Sequence, residues 1–433
     1  MRFGIYTPIH RINEKFMADI TKSLMSQTYQ EFRWVVLLNN GAKVEEITKH
    51  IPKELLDKTI IASSQESNIG ALKAEAAEIS FSSYKADILV ELDYDDLLHQ
   101  ECLEVLKKEA EKSEAVFFYS NFAHFEWKGE TIHSLTYSSY YGWKNIEHYN
   151  KEYFGENKLS EMICFPENVE YMYRIESAPN HVRAFKAEPY REIGGYDASL
   201  RVGDDHDLVC RFFKRFGQKG FKHINKCLYY QRIHQSTTIN LNREIQEQVD
   251  KNYLNHSEEM FLKSAKDKGL LCLDLGGRFN CPNGYKSVDL LDADIIMDLN
   301  STWNIEDNSV GVIRAYHVLE HLSNPIHFFN EAYRVLSSGG VLLIEVPSAR
   351  DYHAFADPTH KSFWTEFNFE YYTDERKAKF IRPQYKGAFQ SMRLVEYPWS
   401  DGTLCISAQL IALKGDYNNR FWGTKLTDEK YIR

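Results

Sequence analysis

The sequence predicts an α/β protein of two successive domains, each a mostly parallel sheet covered by helices. Three observations predict it. Short apolar runs alternate with helical, amphipathic segments in both halves of the chain. A polar, charged stretch from Leu241 to Lys268 divides the two series. The length, 433 residues, exceeds what one hydrophobic core usually organises.

The first series opens with an apolar strand, Phe3 to Thr7. "NEKFMADITKSLMSQTY" follows, with Phe16, Ile20 and Leu24 at helical spacing and Asn13 placed to cap the helix. "FRWVVLLNNGA" reads as a second strand closed by the turn pair Asn40-Gly41. The helix "ALKAEAAEI", the strand "ADILVEL" and the helix "CLEVLKKEAEK" continue the rhythm. From Phe122 to Asn180, Tyr, Trp and His are frequent without a period, which reads as a solvated loop or lid, or as aromatic surfaces able to stack on sugars. Regular signals return at "HVRAFKAEPYREIGGYD" and the helix "DHDLVCRFFKRFG".

The polar stretch reads as one or two connecting helices. The expected division is therefore 1–245, a helical linker at 246–267, a second domain at 268–412 and a polar tail at 413–433. The second series runs "LLCLDLGG", "YKSVDL", "ADIIMDL" and "VGVIRAYHVLEHL", then the helix "PIHFFNEAYRVL", the turn "SSGG" and the strand "VLLIEVP".

A content of 43% hydrophobic, 26% charged and 14% aromatic residues is that of a folded soluble protein, and no window is apolar enough for a membrane span. "MRFGIYTPIHR" lacks the pattern of a signal peptide, so a cytoplasmic location is expected. Seven cysteines without a CxxC pair suit reduced thiols better than a disulfide framework or a zinc site. The formal charge of -10 argues against a general nucleic-acid surface, although a local basic groove is not excluded.

"LVELDYDDLLH" places Asp93, Asp95 and Asp96 where a buried strand ends. In α/β sheets ligands collect at the carboxyl ends of strands. Carboxylates there suit a hard divalent cation bound together with phosphates. Alone, the cluster reads more readily as a solvated turn that caps the next helix.

The order "IYTPIHR", "SLMSQTYQEFRWVVLLNNGA", "SNIGALKAEA", "LVELDYDDLLH", "IGGYDASLRVGDDHDL" and "YYQRIHQST" resembles the family-2-type glycosyltransferases of the GT-A fold, over residues 1 to 245. The resemblance implies a nucleotide-sugar donor bound across the first strands, near Thr7, Pro8, Asn40, Asn68, Gly70 and Lys73. It implies a diphosphate held by Mn2+ or Mg2+ on the DxD motif, with Asp93 near ribose and metal, Asp95 as direct ligand and His234 of "RIH" as third contact. Asp204 and Asp205 of "VGDDHDL" match the family's ED-type motif. The resemblance makes Asp205 the base toward an acceptor sugar hydroxyl and Asp204 its support, while plain helix capping stays open for either. It also implies inversion at the anomeric carbon and a glycan-type acceptor. "PNHVRAF" resembles a subset of these enzymes, with His181 and Arg183 as diphosphate or acceptor contacts or as surface charges. Where the family commonly has Asp-Asp-Gly-Ser, this chain has Asn39, Asn40, Gly41 and Ala42. The Asn40 amide offers both donor and acceptor to a uracil edge, so UDP is the favoured carrier.

In the second half, "LCLDLGGRFNCPNGYKSVDL" places glycines between a strand and a helix and Asp289 at the end of the next strand. With "IIMDL", "AYHVLEHLSNP", "EAYRVLSSGGVLLIEVP" and "DPTHKSFWT", residues 268 to 412 resemble a class I S-adenosylmethionine-dependent methyltransferase, a Rossmann-like fold. The resemblance carries Asp274, Gly276 and Gly277 to the methionine end of the cofactor, Asp289 to the ribose, and Asp298 with Leu299 toward the adenine. It counts His317 among the cofactor-binding residues and places it with Glu320 and His321 at the active-site edge, as catalytic groups or a structural signature, and His360 on the acceptor side. Arg278 occupies the position of the usual second glycine, so its side chain must point away from the cofactor or partly fill its pocket.

The expectation is an enzyme that transfers a sugar to a glycan and methylates the product. Three alternatives stay open: a glycosyltransferase with a dead second domain, a carbohydrate-binding scaffold without chemistry, and a nucleic-acid-modifying glycosyltransferase.

Overall fold

The computed structural model describes residues 1–129, 131–139, 143–172, 174, 177–234, 242–399 and 401–415. The expected tail from residue 416 onward, and the end of "YYQRIHQST" from Gln235, lie outside the described residues. The chain divides into two units, Met1–Met260 and the residues from Phe261 onward.

In the first unit the strands are β1 (Phe3–Ile9), β2 (Phe32–Leu38), β3 (Thr59–Ser63), β4 (Ile88–Glu91), β5 (Leu97–Leu98), β6 (Phe117–Lys128), β7 (Thr131–His133), β8 (Lys144–Tyr149), β9 (Lys158–Ile163), β10 (Ala184–Lys186) and β11 (Phe221–Arg232). The order across the sheet is β3-β2-β1-β4-β10-β6-β11-β5, with β7 and β9 joined to β6 and β8 to β9. The first four are parallel neighbours. β1, β2 and β4 are buried almost throughout, as parallel strands covered on both faces must be. Helix Glu14–Met25 starts where the Asn13 side chain accepts from the amides of Lys15 and Phe16, as its cap position predicts.

The sheet geometry positions the site. β10 runs antiparallel to β4, with Ala184 opposite Val90, so the residues entering β10 stand beside the residues leaving β4. The Glu91 amide donates to the Arg183 carbonyl at 3.0 Å, which fixes that juxtaposition. β5 pairs with the end of β11, Leu97 opposite Tyr230, and brings the acidic turn against Arg232 to His234. Helix Asp204–Phe216 follows Gly203, whose φ of 69° is a left-handed conformation open to glycine.

The stretch from Phe122 to Asn180 is not the solvated loop its composition suggested. It completes β6 and adds β7, β8 and β9 to the sheet. Its aromatic side chains build an interior: Trp143 packs edge-on against Phe122 at 6.0 Å and Phe165 at 4.9 Å, and Phe165 meets Tyr171 at 4.9 Å. Phe122, Trp143, Phe165 and Tyr171 are buried, which removes them as sugar-stacking surfaces. Large rings on both faces of β6 erased the period-2 alternation by which a strand is recognised.

The polar stretch forms one helix, Asn242–Asp267, and the division between the units falls inside it. Its first part packs on the first unit: Asn252 Nδ2 donates to the Gly203 carbonyl at 2.7 Å, and His256 Nε2 lies 2.9 Å from Asp207 Oδ1.

In the second unit the strands are β12 (Leu271–Leu275), β13 (Lys286–Asp289), β14 (Ile295–Ile296), β15 (Val310–Tyr316), β16 (Leu336–Pro347), β17 (Phe389–Pro398) and β18 (Leu404–Ala412). Their order is β14-β13-β12-β15-β16-β18-β17, parallel up to β16 and antiparallel from there. Leu273, Ile313, Leu342 and Ile344 of the strands and Phe328 and Phe329 of helix Pro325–Val335 share one core. The "SSGG" segment, read as a turn, lies within β16: pairing jumps from Val310–Leu336 to Val312–Val341, so the glycines form an irregularity in the strand. None of the seven cysteines forms a disulfide. Among the described residues no helix is long and apolar enough to cross a membrane.

Candidate functional site

At the carboxyl end of β4 the chain turns through Leu92 to Asp96 before entering β5. Asp95 Oδ2 lies 2.7 Å from His234 Nε2, which follows β11. Arg232, on the last residue of β11, braces this turn: its amide donates to Asp96 Oδ1, its Nε to the Asp95 carbonyl and its Nη2 to Asp19 Oδ2, each at 2.7 Å. The Asp93 amide donates to the Tyr229 hydroxyl at 3.1 Å, and the Tyr229 ring stacks on His181 at 4.3 Å. His181 Nε2 stands 3.8 Å from Asp93 Oδ2.

Behind this turn lies a buried charge network. Glu91, 1% exposed, accepts from Arg183 Nε at 3.0 Å and Nη2 at 2.8 Å, pairs with Lys73 Nζ at 2.8 Å and accepts from the Tyr196 hydroxyl at 2.6 Å. Lys73 also reaches Asp204 Oδ2 at 3.1 Å, and Arg183 Nη1 reaches Asp205 Oδ2 at 2.9 Å. One carboxylate thus anchors two cations, and each cation holds one aspartate at the start of helix Asp204–Phe216. The acidic turn and the helix start are joined by a continuous path of side chains.

The electrostatics follow from that arrangement. Burial pushes the Asp93 carboxyl up to about 7, and the Glu91 and Asp95 charges push the same way against Lys73. Burial raises Asp96 well above the carboxylate range, with Asp95 and Asp93 adding to it. At Asp205 burial pushes up, but Arg183 and Lys73 outweigh it and hold the group below its ordinary value. Burial wins at Asp204, which is raised despite Lys73. Three crowded carboxylates, two of them driven toward protonation, form an environment that a divalent cation would relieve, and Asp95 and His234 offer the oxygen and imidazole donors such a cation takes. These residues fit a metal. The cluster that closes within 4.8 Å is nevertheless Glu91, Asp93 and His181, so Asp93 leans toward His181 while Asp95 pairs with His234.

The remaining expected donor residues are spread over the ends of the first strands. Thr7 is buried and accepts from Trp34 Nε1 at 2.9 Å, with Pro8 beside it in β1. Asn68 precedes helix Ile69–Tyr84 without a side-chain cap bond. Gly70 has a packing reason: its amide bonds the Leu200 carbonyl at 3.2 Å, and a Cβ would collide with the backbone oxygen of Asp197. Asn40 is exposed with φ 54°, whereas Asn39 is buried and its Oδ1 has no hydrogen-bond donor among the described residues. Glu91, Tyr196, Tyr229, Arg232 and Asn39 are the site residues that sequence reading missed. The available signal was a glutamate ending an otherwise apolar strand.

In the second unit, Gly276 at φ 74° donates to the Val288 carbonyl at 2.8 Å, and a Cβ on it would meet Val318 Cγ2 at 2.5 Å. Gly277 leaves room for the Asp274 carboxylate, whose Oδ1 takes Arg314 Nη1 at 2.8 Å. Arg278 pairs with Asp292 and lies over the Phe279 ring at 4.8 Å, so its charge is spent on the Asp292 side of the turn. Asp289 Oδ1 accepts from the Leu290 amide at 2.6 Å, Asp298 is exposed and Leu299 sits in the core. His317, at φ 55°, lies 3.4 Å from Glu320 and 3.2 Å from Glu345, and these two facing carboxylates raise it to about 9. The glycine turn with Asp274 and Asp289 fits an adenosylated amino acid.

Residues 5–176 match the model of the family described as Glycosyl transferase family 2, and residues 281–344 match that described as Methyltransferase domain. Comparison with curated protein sequences finds no significant match. Among solved structures the chain is similar to S. aureus TarS 1–349 in complex with UDP-GlcNAc, at 12% identity and TM-score 0.42 over 62% of this chain and 72% of that one. It is also similar to the mannosyltransferase PcManGT from Pyrobaculum calidifontis in complex with GDP-Man and Mn2+, at 12% identity and TM-score 0.36 over 61% and 64%. The family matches make the enzyme class a glycosyltransferase. The chain carries a family-2 glycosyltransferase region followed by a methyltransferase-domain region, in the order its motifs predict.

Proposed function

We propose that the chain is a metal-dependent, inverting glycosyltransferase that moves a sugar from a nucleotide diphosphate, UDP by preference, to a glycan-type acceptor, and that residues 268–412 methylate the glycan with S-adenosylmethionine. Residues 1–245 form the transferase domain, and 246–267 the helical connection. The observation that carries the reading is the linkage of Asp205 through Arg183 and Glu91 to the acidic turn.

Asp95, His234 and Asp93 hold the cation, which when bound offsets charge on the departing diphosphate. Asp205 is the base because its side chain is 22% exposed, against 6% for Asp204, and because Arg183 keeps it ionised and aimed. It accepts the proton of the attacking hydroxyl, while Lys73 holds Asp204 as the support beneath it. The amide at the end of β2 reads the base, with Asn39 joining Asn40 because its buried carbonyl oxygen lacks a donor. In the second unit, Asp274 and the glycines take the methionine end, Asp289 the ribose and the 298–299 segment the adenine of the cofactor, which when bound supplies the methyl group.

The test is release of nucleoside diphosphate from a panel of UDP-, GDP- and dTDP-sugars by the full chain. Metal-dependent release from one donor class supports the reading; none from any donor overturns it. Arg278 in the glycine turn favours one second reading, a methyltransferase domain without cofactor binding. Calorimetric titration of S-adenosylmethionine into the full chain separates the two, since absence of binding heat selects the inactive domain.

A further inference from the structure

A second constellation of metal-preferring groups lies in the second unit. After β15 a short turn, Leu319–His321, presents Glu320 and His321, and His360 joins them from the segment after helix His353–Ala356. A carboxylate oxygen of Glu320 and one ring nitrogen from each histidine lie within 4.8 Å of one another. The backbone holds the two segments together, since the amides of Lys361 and Ser362 both donate to the Glu320 carbonyl, at 2.7 and 3.1 Å.

The protons of the two imidazoles are assigned by their neighbours. His360 Nδ1 lies 2.7 Å from the Ala354 carbonyl, which can only accept, so Nδ1 carries the hydrogen and Nε2 the lone pair. The Thr359 hydroxyl donates to Asp357 Oδ1 at 2.7 Å and therefore accepts from His321 Nδ1 at 2.9 Å, which leaves the His321 lone pair on Nε2 as well. Such outer hydrogen bonds, to a backbone carbonyl and to a carboxylate through a hydroxyl, orient histidines that ligate metals. Glu320 is 2% exposed, and neither of its oxygens has a hydrogen-bond donor among the described residues; the His317 ring is its ionic neighbour at 3.4 Å. Each imidazole therefore keeps a lone pair on Nε2, with Asp357 Oδ2 3.9 Å from that of His360, in a cluster whose carboxylate accepts no hydrogen bond from either ring.

We propose that Glu320, His321 and His360 bind a divalent first-row transition cation, of the Zn2+, Co2+ or Mn2+ kind, with at least one coordination position open. Two imidazoles and one carboxylate are the donor set of open, three-ligand sites. This site is distinct from the acidic turn of the first unit, and it stands whether or not the second unit transfers methyl groups.

The experiment is titration of Co2+ into chelator-stripped full chain carrying Asp95→Asn, which silences the first unit's metal pair, followed by visible absorption. The expected result is one equivalent bound with ligand-field bands, affinity at least about tenfold lower in Glu320→Gln and in His360→Gln, and a loss of about 10- to 100-fold in Thr359→Val, which removes only the outer hydrogen bond. His321→Gln, on the half-exposed member, carries the test if Glu320→Gln fails to fold. No bound cobalt in the Asp95→Asn chain, or uptake unchanged by the folded ligand variants, overturns the site.

Discussion

His234 Nε2 lies 2.7 Å from Asp95 Oδ2, a pairing across 139 positions of chain beside the β5–β11 contact. It brings the turn after β4 and the end of β11 to one point. Arg232 stiffens it from below, its guanidinium lying over the Phe16 and Phe125 rings at 4.7 and 4.6 Å.

Asp205 touches Arg183 at the mouth of the charge network rather than in its interior. Asp205→Asn keeps the volume and removes the proton acceptor. Transfer is expected to slow by about 10²–10⁴-fold with donor affinity nearly unchanged. Single-turnover kinetics alongside donor titration check this, and near-normal turnover would remove Asp205 as the base.

Among the described residues, Glu91 is the only carboxylate that both Lys73 and Arg183 contact directly. Glu91→Ala leaves two buried cations short of a partner, and unfolding stability is expected to fall by about 3–5 kcal/mol. Urea unfolding measures it. A change within experimental scatter would mean that water or Asp204 and Asp205 compensate fully.

His124 is fully buried, with Nε2 2.9 Å from Gln231 Oε1 and the ring against Phe122 and Tyr137. Burial pulls it down to about 4, with only the Gln231 hydrogen bond opposing. A folded value below the unfolded one near 6.5 means stability that is present above pH 6.5 and is lost as the pH falls toward 4. The slope contributed is at most about 1.4 kcal/mol per pH unit. Denaturant midpoints at a series of acid pH values should show a shallower acid loss for His124→Gln than for the parent.

Gly277 stands where a Cβ would collide with the Asp274 carboxylate. Gly277→Ala should therefore shift Asp274 and weaken S-adenosylmethionine binding by at least about tenfold. Calorimetry on the full chain reads the effect, and unchanged affinity would separate the glycine turn from the cofactor.

The α/β class and the two sheets were legible because apolar parallel strands and capped helices keep their periods, as at Asn13 and β2. The aromatic segment from Phe122 to Asn180 was not, because its rings fill both faces of β6 and leave no alternation to read there. Asp95 and His234 could be named from their motifs. Glu91 could not: a glutamate that ends a strand looks solvated until Lys73 and Arg183, 18 residues before it and 92 after it, are seen folded against it. Asn39 was passed over for Asn40 because a turn pair does not reveal which amide the backbone buries.

The central claim is that the Asp95–His234 end of the sheet holds the donor's diphosphate through a divalent cation. Calorimetric titration of UDP-sugars into the full chain, with and without Mn2+, measures it directly. Saturable binding that needs Mn2+ and weakens at least about tenfold in Asp95→Asn is the result predicted; equal affinity in the absence of Mn2+, or in the variant, would contradict it.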